Sequence, residues 1–119
     1  MSLPPHSAAQ SSQSNPKLPP PAISAETAAR LLAFRDARRW APKHNPKDLA
    51  ASIVIEAAEL LEVFQWSGDD LECRDKHEQM EDELADVFAY ALLLADRIGA
   101  SPDQILLKKL EKLEKKYPA

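Results

Sequence analysis

Residues 45–66 read NPKDLAASIVIEAAELLEVFQW, and this stretch decides how the rest of the chain is organised. Asn45 can cap a helix, Pro46 suits its first turn, and Asp48 places a negative charge at the positive end of the helix dipole. From there, four apolar residues recur at helical spacing and predict one apolar face: Leu49, Ile53, Leu60 and Val63. The stretch therefore predicts an amphipathic helix.

Two glutamates interrupt that apolar face. At about 100° per residue, Glu56 falls in its middle and Glu59 at its edge. A later predicted helix repeats the pattern, because Glu83 and Asp86 are also spaced i, i+3 beside an apolar stripe. One such pair alone is typical of ordinary surface acids, but a carboxylate in an apolar face is costly without a cation. Two pairs on adjacent helices predict four carboxylates around a bound cation.

The types of ligand indicate which cation would bind. Carboxylate oxygens suit Mg²⁺, with Mn²⁺ as a substitute, whereas zinc and copper sites use His or Cys. Di-iron helix bundles use Glu-x-x-His, and none of His6, His44 and His77 follows a glutamate by three residues. There is no Gly-rich phosphate loop. Since Mg²⁺ keeps positions open for substrate phosphates, the sequence predicts phosphate chemistry in a helical cleft.

Composition narrows the classes of function. The 119 residues carry a net charge of −4 and a pI near 5.3, which argues against nucleic-acid binding through the phosphate backbone. The single Cys73 offers no internal disulfide. The apolar run at 89–95 is too short to span a membrane, and the N-terminus lacks the pattern of a secretory signal. We therefore expect a cytoplasmic protein without nucleic-acid or membrane partners.

The remaining elements are predicted to be helices as well. Capping and turn residues set their bounds: from near Ser24 to about Trp40, from Leu71 or Glu72 to Ile98, and from Ser101 to just before Pro118. Residues 1–22 are rich in Pro and Ser, which predicts a disordered tail before a domain at 23–118. Four capped helices without a strand signal predict an all-α bundle.

The third and fourth predicted helices carry extensive apolar surface. A main stripe on the third helix is formed by Met80, Leu84, Val87, Ala91, Leu94 and Ile98, and a core seam on the fourth by Leu106, Leu110, Leu113 and Tyr117. Leu92 and Leu93 lie well off the main stripe. Because a helix that is apolar on more than one side needs more than one neighbour, we expect a subunit interface there.

Four segments carry a resemblance to a known family. They are Trp40-x-x-x-His44-x-Pro46-Lys47-x-Leu49, Glu56-x-x-Glu59-Leu60-x-Glu62-x-Phe64-Gln65-Trp66, Glu83-Leu84-x-Asp86-Val87-x-x-Tyr90 and Lys115-Lys116-Tyr117-Pro118. Together they resemble the MazG-like all-α nucleotide pyrophosphohydrolases, and most of all their dCTP pyrophosphatase branch. The resemblance extends over about residues 24–118.

The resemblance implies a Mg²⁺-dependent enzyme that cleaves a nucleoside triphosphate between its α and β phosphates and releases the monophosphate and pyrophosphate. dCTP or a modified pyrimidine dNTP is the expected substrate, and a dimer or tetramer the expected assembly. When the residue roles of the family are transferred to this sequence, the metal ligands are Glu56, Glu59, Glu83 and Asp86. Catalysis is assigned to Glu59 and Glu56. The residues assigned to nucleotide binding are Trp40, His44, Trp66, Tyr90, Lys109 and Arg38.

Three positions depart from the family pattern. Ile55 replaces a glutamate that is common in the broader family. The dCTP pyrophosphatase branch also lacks this glutamate, so the difference favours that branch. Leu113 replaces an asparagine and Arg39 an acidic residue, and both changes bear on substrate preference and not on the metal site. A function of a different class remains open at this point, namely a non-catalytic helical module for oligomerisation or partner binding.

Overall fold

The computed structural model describes residues 22–119. Over that range the chain forms four α-helices and two short 3₁₀ turns without a strand, which confirms the all-α class. In chain order, the helices are α1 Ala25–Ala37, α2 Pro46–Glu62, α3 His77–Arg97 and α4 Pro102–Lys116, and the 3₁₀ turns are Ala41–Lys43 and Arg74–Lys76. No helix in the described range is long and apolar enough to cross a membrane. Apart from Ala22, the tail predicted at 1–22 lies outside the described residues.

The starts of three helices lie where the capping residues predict them. The side chains of Ser24, Asn45 and Ser101 each accept a hydrogen bond from the backbone N–H three residues on, at 3.1, 2.8 and 3.4 Å. Pro46 and Pro102 occupy the first positions of their helices, where no intrahelical N–H donor is needed. Local chemistry therefore positions α1, α2 and α4 along the chain.

The first helix is shorter than predicted. α1 ends at Ala37, so Trp40 lies outside it and precedes the first 3₁₀ turn. The cause is Arg39, whose φ of 57° is left-handed and cannot continue a right-handed helix. Glycine is the usual residue at such a stop, so the sequence around Arg39 gave no sign of it.

The connection between α2 and α3 is longer than predicted. α2 ends at Glu62, before the end of the predicted helical stretch at Trp66, and α3 begins at His77 instead of near Leu71. Trp66 and Cys73 adopt left-handed conformations, with φ of 69° and 44°, which exclude this stretch from either helix. The connector, residues 63–76, is consequently a series of turns.

Two side chains form hydrogen bonds within the connector. The Asp70 carboxylate accepts a hydrogen bond from the backbone N–H of Cys73 at 3.1 Å, and the free thiol of Cys73 is buried. Lys76 Nζ donates to the carbonyl oxygen of Val63 at 3.4 Å, which ties the start of α3 to the end of α2. The two helices therefore pack side by side in antiparallel directions.

The core is formed by α2, the connector and α3. Its buried apolar side chains are Leu49, Val63, Cys73, Leu93 and Ala95, with Leu49 only 1% exposed. Leu93 is 5% exposed within this chain, so the prediction that it faces another subunit is wrong. The reason is a rotation of α3: the side of Glu83 and Tyr90 turns inward, while Leu84 and Ala91 of the predicted stripe are exposed.

The fourth helix stands largely apart from the others. Of its predicted core seam, Leu113 is half-buried, whereas Leu106, Leu110 and Tyr117 are exposed. An open apolar groove of about 1060 Å³ lies between the start of α1, α3 and α4. Most of the predicted seam is therefore exposed among residues 22–119.

Candidate active site

The antiparallel pairing of α2 and α3 brings four carboxylates together. Glu56 and Glu59 lie on α2, and Glu83 and Asp86 on α3, each pair one helical turn apart. One carboxylate oxygen of each residue lies within 4.8 Å of those of the other three. Glu56 and Glu83 are half-buried, while Asp86 is exposed. We call these four residues the acid cluster.

Two oxygens of the acid cluster are shielded from water and have no hydrogen-bond partner among the described residues. They are Oε2 of Glu56 and Oε2 of Glu83. Buried polar atoms in proteins are almost always paired, and an exception calls for an explanation such as a bound ion. The ion pairs of residues 22–119 include none of these four acids, so no side chain of that range supplies the missing positive charge.

The electrostatics of the acid cluster favour protonation when no cation is present. Burial raises the pKa of Glu56 above its ordinary value of 4.5, and the hydrogen bond and charge of Glu59 raise it further. Burial also raises the pKa of Glu83, followed by the negative charge of Glu59. Both residues keep part of their surface in water, so these shifts reflect mainly the one shielded oxygen and the neighbouring charges.

The donor set of the acid cluster fits a hard divalent cation. All four ligands offer carboxylate oxygens, and neither His nor Cys belongs to the cluster. Oxygen-only sites suit Mg²⁺ or Mn²⁺, whereas zinc and copper prefer nitrogen and sulfur. The geometry thus groups the four residues that the sequence predicted as ligands, and their binding of a particular metal stays a prediction.

Three residues assigned to the nucleotide form a second group beyond the end of α1. The Trp40 ring packs edge-on against Phe34, with centroids 5.6 Å apart, and lies 6.3 Å from the ring of His44. The Arg38 guanidinium covers Phe34 at 3.4 Å and donates to the carbonyl oxygen of the same residue at 2.9 Å. Nδ1 of His44 is enclosed without a hydrogen-bond partner in the described part of the chain. Phe34 of α1 therefore supports the Trp40 ring.

The other three assigned residues are not gathered at one place within this chain. Trp66 lies in the connector and is 92% exposed. Tyr90 lies on α3, one turn beyond Asp86. Lys109 lies on α4, where it lines the apolar groove. Among residues 22–119, the predicted nucleotide-binding set is thus divided between the α1 end, the connector, α3 and α4.

Comparisons with known proteins match this architecture. A profile described as the MazG-like family matches residues 51–119, more than half of the chain and the part that carries the whole acid cluster. The chain therefore belongs to the MazG-like family. Its structure is similar to that of a pyrophosphatase from Archaeoglobus fulgidus DSM 4304, with a TM-score of 0.72, 44% sequence identity, and coverage of 79% of this chain and 91% of that one.

Distant relatives carry a more specific name. The chain is 31% identical over 104 residues to dCTP pyrophosphatase 1 of Mus musculus, covering 82% of this chain and 61% of that protein. It is 31% identical over 105 residues to dCTP pyrophosphatase 1 of Homo sapiens, covering 83% and 62%. The chain thus spans about three fifths of the length of the curated relatives it matches.

Proposed function

We propose that this chain is a nucleoside triphosphate pyrophosphohydrolase that uses Mg²⁺, cleaves between the α and β phosphates, and releases the nucleoside monophosphate and pyrophosphate. The observation that carries the proposal is the acid cluster, with two shielded carboxylate oxygens that lack a partner among the described residues. Membership of the MazG-like family supports the reaction class. The relatives named dCTP pyrophosphatase 1 support dCTP or a modified pyrimidine dNTP as the substrate.

The acid cluster would hold the metal through Glu56, Glu59, Glu83 and Asp86. Bound there, Mg²⁺ would offset the repulsion between these acids and the substrate phosphates and act as a Lewis acid toward the phosphoryl oxygens. We assign Glu59 as the acceptor of the proton of the attacking water, because Glu56 and Glu83 each have an oxygen shielded from water without a partner and Glu59 does not. Glu56 would fix the position of the metal from between the two helices.

Aromatic side chains would hold the base. Trp40 is 40% exposed, so one part of the indole packs against Phe34 and another is available for stacking. Stacking of a base on an aromatic ring contributes roughly 1–3 kcal/mol. Trp66 exposes nearly its whole ring, which suits a second stacking surface contributed to a site completed in the assembled protein.

Self-association is also part of the proposal. The lining of the apolar groove includes exposed side chains such as Phe88 of α3 and Leu106 of α4. A second exposed apolar face on α2 includes Val54, Ile55 and Leu61. Large uncovered apolar surfaces of this kind mark protein–protein interfaces, and two of them would permit a dimer that pairs into a tetramer.

The activity is tested by incubating the purified protein with each dNTP and Mg²⁺ and measuring pyrophosphate and monophosphate. Release of pyrophosphate in preference to phosphate, abolished by Glu59→Gln, is the expected result. Absence of cleavage with every nucleotide and with both Mg²⁺ and Mn²⁺ would favour the non-catalytic helical module instead. The assembly is tested by light scattering: Phe88→Glu should lower the oligomeric mass, and a wild-type protein that is monomeric at micromolar concentration would contradict self-association.

A further inference from the structure

Helix α1 is joined to the rest of the chain by an ion pair to α3 and by three half-buried apolar side chains, Ala28, Leu31 and Leu32. None of its residues is buried. The side chain of Arg35 is nevertheless only 12% exposed, because its guanidinium lies between two carboxylates. Nη1 donates to Asp96 of α3 at 2.7 Å, and Nε donates to Asp36 of its own helix at 2.9 Å. Among the described residues, the bond to Asp96 is the ion pair that links α1 to another helix.

Arg35 is also part of the turn that places Trp40. The backbone N–H of Trp40 donates to the Arg35 carbonyl oxygen at 3.2 Å, and that of Arg39 donates to the Asp36 carbonyl oxygen at 3.0 Å. With Arg39 left-handed, these two bonds form the Schellman motif that closes a helix. The apolar contact that accompanies this motif is the packing of Trp40 on Phe34.

Asp96 belongs to a second Schellman motif, at the end of α3. The N–H of Gly99 donates to the Asp96 carbonyl oxygen at 3.1 Å, and the N–H of Ala100 donates to the Ala95 carbonyl oxygen at 2.8 Å. A carboxylate at this negative end of a helix is unfavourable unless a cation meets it. The Arg35 guanidinium meets it, so one ion pair joins the C-terminal caps of α1 and α3.

This arrangement relates Trp40 to the acid cluster. Asp96 and Asp86 are on the same helix, ten residues apart, which is about 15 Å along the axis at about 1.5 Å per residue. α3 is continuous between them, so the position of Asp96 relative to the acid cluster is set by a rigid element. From Asp96 the chain of contacts passes to the Arg35 guanidinium, the Arg35 carbonyl and the Trp40 backbone.

We propose that the Arg35–Asp96 ion pair is a positioning device that holds Trp40 at a set distance from the acid cluster and thereby sets affinity for the nucleotide. Neither residue takes part in the phosphate chemistry. The inference rests on the proposed function in so far as Trp40 stacks on the base. Arg35 and Asp96 are 61 residues apart in the chain, and neither was assigned a role in the site from the sequence.

The test uses two substitutions that remove one carboxylate each from the same guanidinium. Asp96→Asn breaks the bond between helices, and Asp36→Asn, the matched control, breaks the bond within α1. With dCTP and Mg²⁺, Asp96→Asn should raise KM about tenfold, equivalent to about 1.4 kcal/mol, with kcat nearly unchanged. Asp36→Asn should leave both constants near wild type, and Asp96→Glu, which keeps the carboxylate, should restore most of the lost affinity.

A second readout does not depend on catalysis. The chain has two tryptophans, so in a Trp66→Phe background the fluorescence reports Trp40 alone. Adding Asp96→Asn should increase the quenching of Trp40 by acrylamide, and adding Asp36→Asn should not. If Asp96→Asn does not fold, Arg35→Lys replaces it: the charge remains but the two-armed geometry is lost, and the same increases in KM and quenching are expected.

The two readouts distinguish the failure of the proposal from the failure of the proposed function. If the wild-type protein cleaves no nucleotide, the proposed function fails, and the quenching experiment alone decides whether the ion pair positions Trp40. If the wild type is active and Asp96→Asn retains both the wild-type KM and the wild-type quenching, the inference is overturned. A fall in kcat at unchanged KM would also overturn it, because it would place the pair in the chemical step.

Discussion

Replacing Glu56 by Gln should stabilise the metal-free protein while preventing its stabilisation by Mg²⁺. The substitution keeps the size and helix propensity of the side chain and removes one negative charge from the acid cluster. Two unit charges 4.8 Å apart, the limit within the cluster, repel by about 1 kcal/mol in water and about 3.5 kcal/mol at an effective dielectric constant near 20. Because the cluster opens to solvent and its acids can hold protons, we take the lower end, about 1 kcal/mol.

Thermal unfolding measures this gain directly. For a domain of this size, about 1 kcal/mol corresponds to a rise in Tm of about 4–8 °C in chelator-treated buffer. Mg²⁺ at about 100 times its dissociation constant would stabilise the wild type by about 2.7 kcal/mol and the variant by much less, so the order of stability should reverse. The control is Glu111→Gln, which removes an exposed acid of α4. It should leave Tm unchanged both in chelator-treated buffer and in Mg²⁺.

The effect of Glu56→Gln on stability should also depend on pH. Burial and the neighbouring acids raise the pKa of Glu56 and of Glu83, so between pH 4.5 and those raised values the folded state binds more protons than the unfolded state. The stability of the metal-free wild type should therefore fall as pH rises through that window. The advantage of Glu56→Gln should be larger at pH 7.5 than at pH 5. A variant that is less stable than wild type in chelator, or that gains as much from Mg²⁺, would refute the reasoning.

Three further predictions concern the nucleotide, the helix ends and the core. By calorimetry, dCMP should bind detectably without Mg²⁺ through base stacking, whereas dCTP should gain strongly from the metal; a dCTP affinity unaffected by Mg²⁺ would show that the acid cluster does not receive the phosphates. Arg39→Gly should stabilise the fold by up to about 1 kcal/mol in urea unfolding, because a left-handed non-glycine residue is strained, and Gly99→Ala, at φ 71°, should destabilise it by a similar amount. If Arg39→Gly lowers stability, strain at that turn is not the controlling factor. Leu49→Ala should cost about 2–5 kcal/mol, since the side chain is fully enclosed between α2 and α3; a loss below 1 kcal/mol would mean that this site collapses around the missing atoms.

Features set by neighbouring residues in the chain were predictable from the sequence. The caps at Ser24, Asn45 and Ser101 depend on a side chain and an N–H three residues apart, and all three helices begin where predicted. The placement of each acid pair on one helix face was predictable for the same reason, because residues spaced i, i+3 are neighbours on a helix surface.

Features set by distant parts of the chain were not predictable. Arg39, Trp66 and Cys73 adopt left-handed conformations for which their residue types give no signal, so three helix ends were placed wrongly. The rotation of α3 buries Leu93 and leaves Leu84 and Ala91 of the predicted stripe exposed. The Arg35–Asp96 pair joins residues with no relation in sequence spacing.

The buried thiol of Cys73 allows the opening of the connector to be measured by thiol labelling. At 2% exposure, its sulfur can meet a thiol reagent only when residues 63–76 open, so the rate of labelling measures how often that opening occurs. The connector joins the two helices that carry the acid cluster, and a cation bridging those helices would make the opening rarer. Slower labelling in Mg²⁺ would then report occupancy of the acid cluster from a native residue, with no nucleotide present.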